Sequence, residues 1–160
     1  MPVSHSLTLW FRITLLAMIC LLPLSNWAAT GRVIKVLPHF VDKQGRHTLA
    51  PSLFERDAYQ VVLRDNPDMR SGMRFDVQWK SKGKASIPLT LKLELRGVAR
   101  GNFPDEMTLT QPVVRPKWFS RWTVFKIDQA TYDQLGQVTA WRATLWEGDT
   151  MIGKQQSFLW

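Results

Sequence analysis

The chain has 160 residues, with 21 lysines and arginines against 13 aspartates and glutamates and a single cysteine. That length suits one domain with a core of its own, and a lone cysteine excludes any disulfide within the chain. The basic balance favours anionic partners but says nothing about the fold.

The amino terminus reads as a targeting segment. Arg12 is the only lysine or arginine before Arg32, and "ITLLAMICLLPL" (13 to 24) is continuously apolar yet falls short of the ~20 residues a membrane-spanning helix needs. Ser25, Asn26, Ala28 and Ala29 follow, which completes the order of a secretory signal peptide and predicts cleavage after Ala28 or Ala29. Cys20 lies inside the apolar run behind the bulky Ile19, a poor site for lipidation. The expected organisation is a signal peptide over 1–29 and one domain over 30–160, free of cysteine and of any transmembrane span, in the periplasm, at the cell surface or outside the cell. Nearly all the cations survive cleavage, and export sets nucleic acid aside as a partner.

No repeat, low-complexity tract or linker interrupts the rest. "RVIKVL" (32 to 37) has the β-branched alternation of a first, edge strand, and Pro38 is expected to end its ladder. "VDKQGRHTLAP" is a polar connection with a glycine turn. Over 53–64, Ser52 and Glu55 have capping-box spacing, Phe54, Ala58, Val61 and Val62 share a helical face, and Asn66 and Pro67 supply a stop. The same stretch alternates through Tyr59, Val61 and Leu63 as a strand would, but cap, length and stop agree on a helix.

From Met73 the period is two. Phe75, Val77 and Trp79 alternate with polar residues, and so do Leu89, Leu91, Leu93 and Leu95, each run with one wet and one buried face. "SKGKAS" is a glycine turn, and further strands are expected at 107–114, 118–127, 137–146 and 151–159, the last two joined by "EGDT". Seven short strands and one helix predict a mainly β fold, an antiparallel sandwich.

"YDQLGQVTAWRATLWEGDTMIGKQQSF" resembles the end of fibronectin type III and immunoglobulin-like domains, with Leu135 and Gly136 at the corner before the penultimate strand and Trp141 as the aromatic inside it. Trp141 stands where a tyrosine is usual, no cysteine pair is present, and the helix near 53–64 is extra. The resemblance implies an immunoglobulin-like sandwich and no activity.

Catalytic signatures are missing: there is no Gly-x-Ser-x-Gly, no phosphate-cradling glycine loop, no dinucleotide fingerprint and no cysteine beyond Cys20. His39, Asp42 and His47 match no metal-ligand spacing and read as surface loop residues. Glu55 and Asp57, two apart on a helix, do not face each other. The terminal "FLW" also ends outer-membrane barrels, but apolar residues on both faces of several strands and the intervening helix argue against one. No cofactor or metal is implied.

The remaining feature is "RPKWFSRW" (115 to 122), where Trp118 and Trp122 share one strand parity and Phe119, Phe125 and Ile127 the other. One set must face away from the core, buried under basic stems or left as a binding face. The binding reading places Arg115, Lys117, Trp118, Arg121 and Trp122 on one rim with Lys80, Lys82 and Lys84 of the neighbouring turn. The function expected is a non-catalytic module contacting an envelope protein or an anionic envelope component, polysaccharide or lipid headgroup. The alternatives are a carbohydrate-binding accessory domain and, behind it, a hydrolase.

Overall fold

The computed structural model describes residues 30–83, 87–99, 101, 103–116 and 119–160. The expected signal peptide with Cys20, and Lys84, Lys117 and Trp118, lie outside them. In chain order the elements are β1 (Thr30–Asp42), α1 (Leu53–Asp65), a 3₁₀ turn (Pro67–Met69), β2 (Arg70–Lys82), β3 (Leu89–Val98), β4 (Pro104–Val113), β5 (Arg121–Asp128), α2 (Gln129–Leu135), β6 (Gln137–Glu147) and β7 (Thr150–Gln156).

The seven strands divide into two antiparallel sheets, ordered β1-β2-β5 and β4-β3-β6-β7. They do not close into a single barrel. β2 and β3 are consecutive yet belong to different sheets, and so do β4 and β5, the crossings of an immunoglobulin-like sandwich.

The period-two runs form the core. Leu91, Leu93 and Leu95 of β3 are fully buried, with Leu109 of β4 opposite Leu93 on one side and Ala143 of β6 on the other. Phe75, Val77 and Trp79 of β2 line the other layer with Phe125 and Ile127 of β5. The buried Trp79 donates its indole N–H to Thr123 Oγ1 at 2.8 Å, which satisfies the one polar atom its ring brings inside. Trp141 packs against the same core, partly buried, and Leu135 is wholly buried at the corner.

β1 continues past Pro38 to Asp42. Phe40 turns its N–H and C=O away from β2 to the Gln60 side chain, and Pro38, two residues earlier, has its nitrogen on that same open side, so no ladder hydrogen bond is lost. α1 covers this free edge: Gln60 Oε1 accepts from Phe40 N at 2.7 Å, and its Nε2 donates to the carbonyls of Phe40 and His47 at 3.0 and 2.8 Å.

α1 spans the expected residues but buries a different face. Tyr59 and Leu63 point inward while Phe54 is 83% exposed and Val61 and Val62 face solvent. Tyr59 O–H donates to the buried Asp42 Oδ2 at 2.8 Å, so polar anchors on β1 set the helix rotation. Ser52 makes no side-chain cap, and the expected capping box does not form.

The corner before β6 is a short helix that periodicity did not signal. Asp128 Oδ1 caps α2 by accepting from Thr131 N at 2.8 Å, and Gly136 ends it at φ 78°. A β-carbon at Gly136 would sit 2.0 Å from the Val98 carbonyl, so only glycine fits.

Candidate functional site: the cationic outer face of the three-stranded sheet

The alternation that turns Val33, Val36, Phe75, Val77, Phe125 and Ile127 inward turns their neighbours outward. Across β1, β2 and β5 the outer face reads in rows: Lys35, Gln78 and Trp122; Leu37, Asp76 and Val124; His39, Arg74 and Lys126, with Arg32 opposite Lys80 beyond the first row. Arg32, Lys35, Lys80 and Lys126 are exposed, and none joins an ion pair among the described residues. Of the charges in these rows only Arg74 and Asp76 neutralise each other, at 2.9 Å.

Trp122 lies among these cations and is 49% exposed, with Val124 beside it at 38%. The other described tryptophans on the surface have occupied rings. Lys92 Nζ lies 4.4 Å from the centre of Trp146, whose N–H donates to Thr144 Oγ1, and Arg96 and Arg142 lie 4.2 and 4.5 Å from that of Trp160. The Trp122 ring has neither a cation nor an aromatic partner among the described residues. Its free face is the one a ligand can stack on.

The residues expected at a binding rim are distributed as follows. Lys80 and Trp122 stand on this outer face, Arg121 is exposed at the start of β5 opposite Trp79, and Lys82 is exposed at the end of β2. Gln78 Nε2 donates to Ser120 Oγ at 2.9 Å, which ties the segment before β5 to the middle of β2. Arg115 is used inside the fold: its guanidinium pairs with Glu147 and donates to the Lys82 carbonyl at 2.8 Å, with only 9% of the side chain exposed. Its charge clasps the crossing into β5 onto the β6–β7 hairpin. Arg32, Lys35, Lys126 and Val124 were not anticipated; their signal was the outward parity of "RVIKVL" and "VFKID", legible only once the two strands are known to flank β2.

The far end of the face is closed. His47, on the connection after β1, lays its ring 5.0 Å from that of His39, and His39 Nε2 is 4.0 Å from Asp76 Oδ2. His39 is a buried strand residue, not the surface loop residue expected. Burial first, then His47, Arg56 and Arg74, lower its pKa to about 4 against the pull of Asp76, and burial lowers His47 as well. Both rings are therefore neutral at pH 7 and serve as packing. Asp42 does not join them. Burial works against its charge, yet hydrogen bonds from the backbone of Arg46, the Tyr59 hydroxyl and the Arg46 guanidinium prevail and hold its pKa at about 2. Among the described residues no group of three or more His, Cys, Asp or Glu is placed to hold a metal ion, and no helix is long and apolar enough to cross a membrane.

No family model matches the chain, and no curated protein matches it. Among solved structures, the chain is similar to an immunoglobulin-like protein from Pseudomonas aeruginosa at 16% identity over 82% of this chain and 97% of that one, with a TM-score of 0.34. The assignment to an immunoglobulin-like sandwich rests on the strand order and pairing described above.

Proposed function

We propose that the protein is an exported, non-catalytic binding module that contacts an anionic envelope component through the outer face of β1, β2 and β5. One observation carries this reading: four exposed cations share a sheet face with Trp122, and among the described residues the cations have no ion-pair partners and the Trp122 ring has no cation or aromatic against it. Such a face attracts anionic headgroups or acidic polysaccharide at long range, and the indole adds short-range contact at the lipid interface or on a sugar ring. A carbohydrate-binding accessory role is the second reading, favoured by that flat, unpartnered ring.

Titration of the purified protein with phosphatidylglycerol vesicles and with polygalacturonate, at low and high salt, tests the proposal. Binding to at least one is expected to weaken steeply with salt, because exposed charges are screened beyond roughly 8 Å at physiological ionic strength. Salt-independent binding, or none to either, contradicts it. Preference for polygalacturonate over vesicles selects polysaccharide over lipid headgroup as the anionic component, and salt-independent binding to an uncharged glycan selects the carbohydrate reading.

A further inference from the structure

At the end of the sandwich where α1 and α2 approach, a second site is built from different residues. A cavity of about 520 Å³ is lined by Phe40 of β1, Arg64 of α1, Arg70 and Met73 of β2, Tyr132 of α2, and Gln137 and Val138 of β6. Its volume is that of a small-molecule pocket, of roughly 300–1,000 Å³. The wall formed by Phe40, Met73 and Tyr132 belongs to the core, where Phe40 and Tyr132 meet edge to face at 5.5 Å. Over those two rings lies the Arg70 guanidinium, 4.7 and 5.4 Å from their centres.

Arg70 is the group that needs a reason. Its Nε is shielded from solvent and has no hydrogen-bond partner among the described residues, and neither Arg70 nor Arg64 forms an ion pair there. Among the described residues no aspartate or glutamate lines the cavity. A guanidinium lying close to two aromatic rings, with a buried donor unmet among the described residues and a second arginine on the same wall, suits an anion, and Phe40, Met73 and Val138 beside it suit something apolar.

We propose that this cavity binds a small amphiphilic organic anion, an alkyl carboxylate, whose apolar chain packs on Phe40, Met73 and Val138 and whose carboxylate is held by Arg70 and Arg64. It shares none of these residues with the outer-face site, and the two can succeed or fail separately.

Calorimetric titration with octanoate, 1-octanol and acetate reads the two halves of the site independently. Octanoate is expected to bind at least about ten-fold more tightly than either the neutral chain or the chainless anion, the first difference supplied by charge-assisted hydrogen bonds and the second by burial of the alkyl chain. Arg70→Met keeps an apolar stem on the rings and removes the charge; it should weaken octanoate by about ten-fold or more and leave octanol unchanged. Arg64→Gln, on an exposed position, should weaken octanoate in the same direction without altering the melting temperature. Val138→Trp should fill the cavity and abolish octanoate binding, whereas Lys35→Glu with Lys80→Glu on the outer face should not change it. Octanol binding as tightly as octanoate, no octanoate binding to the unaltered protein, or undiminished affinity in both arginine variants would overturn the proposal.

Discussion

Asp42 and His39 are two buried titratable residues whose shifts give opposite charge states and separate acid responses. His39 has a folded pKa of about 4 against an ordinary value of 6.5, so the unfolded chain takes up its proton first. Its contribution is complete above pH 6.5 and is lost as pH falls toward 4, on the order of 3 kcal/mol for a shift of that size. Asp42, held at about 2, contributes above its unfolded value of 3.8, and that contribution is lost as pH falls through 2. Denaturant unfolding followed from pH 7 to pH 2 should therefore show a first loss of stability between 6.5 and 4 and a second below 4. His39→Gln should remove most of the first loss, leaving the part that His47 contributes, and keep the second; a variant that retains the first undiminished would place its origin elsewhere. Asp42→Ala strips Tyr59, Gln44 and Arg46 of their shared acceptor and should lower stability by on the order of 3 kcal/mol at neutral pH, read by the same unfolding curves.

At the scale of elements, α1 is an edge cover fastened by polar contacts. Gln60→Glu replaces the donor that serves the Phe40 and His47 carbonyls with an acceptor and should cost about 1–3 kcal/mol, with faster hydrogen exchange at the Phe40 amide. Phe54→Ser, on the exposed side, should leave the melting temperature almost unchanged; a large drop there would mean that the aliphatic stripe is the packed face after all. The extent of this helix was legible because length and the Asn66–Pro67 stop are local properties. Its orientation was not, because the deciding groups, Asp42 and the backbone of Phe40, belong to a strand many residues earlier in the chain. α2 was missed for a related reason: its seven residues are too few to show a helical period, although Asp128 and Gly136 mark its two ends.

At the scale of the molecule, the sandwich was written in the alternation of Phe75 to Trp79 and Leu89 to Leu95, since a two-sheet core needs one apolar face on each strand. Leu93→Asp puts a carboxylate at a fully buried position between the two sheets and should unfold the domain, seen as loss of the thermal transition by circular dichroism. The candidate face was only half legible. Lys80 and Trp122 stand out as sequence neighbours of dense basic and aromatic stretches, but Lys35 and Lys126 join them only through the β1-β2-β5 order, and Arg115 left the rim for Glu147. The central claim is that the position of the charges, and not the net positive charge of the chain, creates the binding surface. Vesicle co-sedimentation with phosphatidylglycerol at low salt, comparing Lys35→Glu/Lys80→Glu with the charge-matched Lys92→Glu/Lys154→Glu on the opposite sheet, tests it most directly. The account predicts that the first pair abolishes binding and the second leaves most of it; equal losses from both pairs, or binding retained by the first, would contradict it.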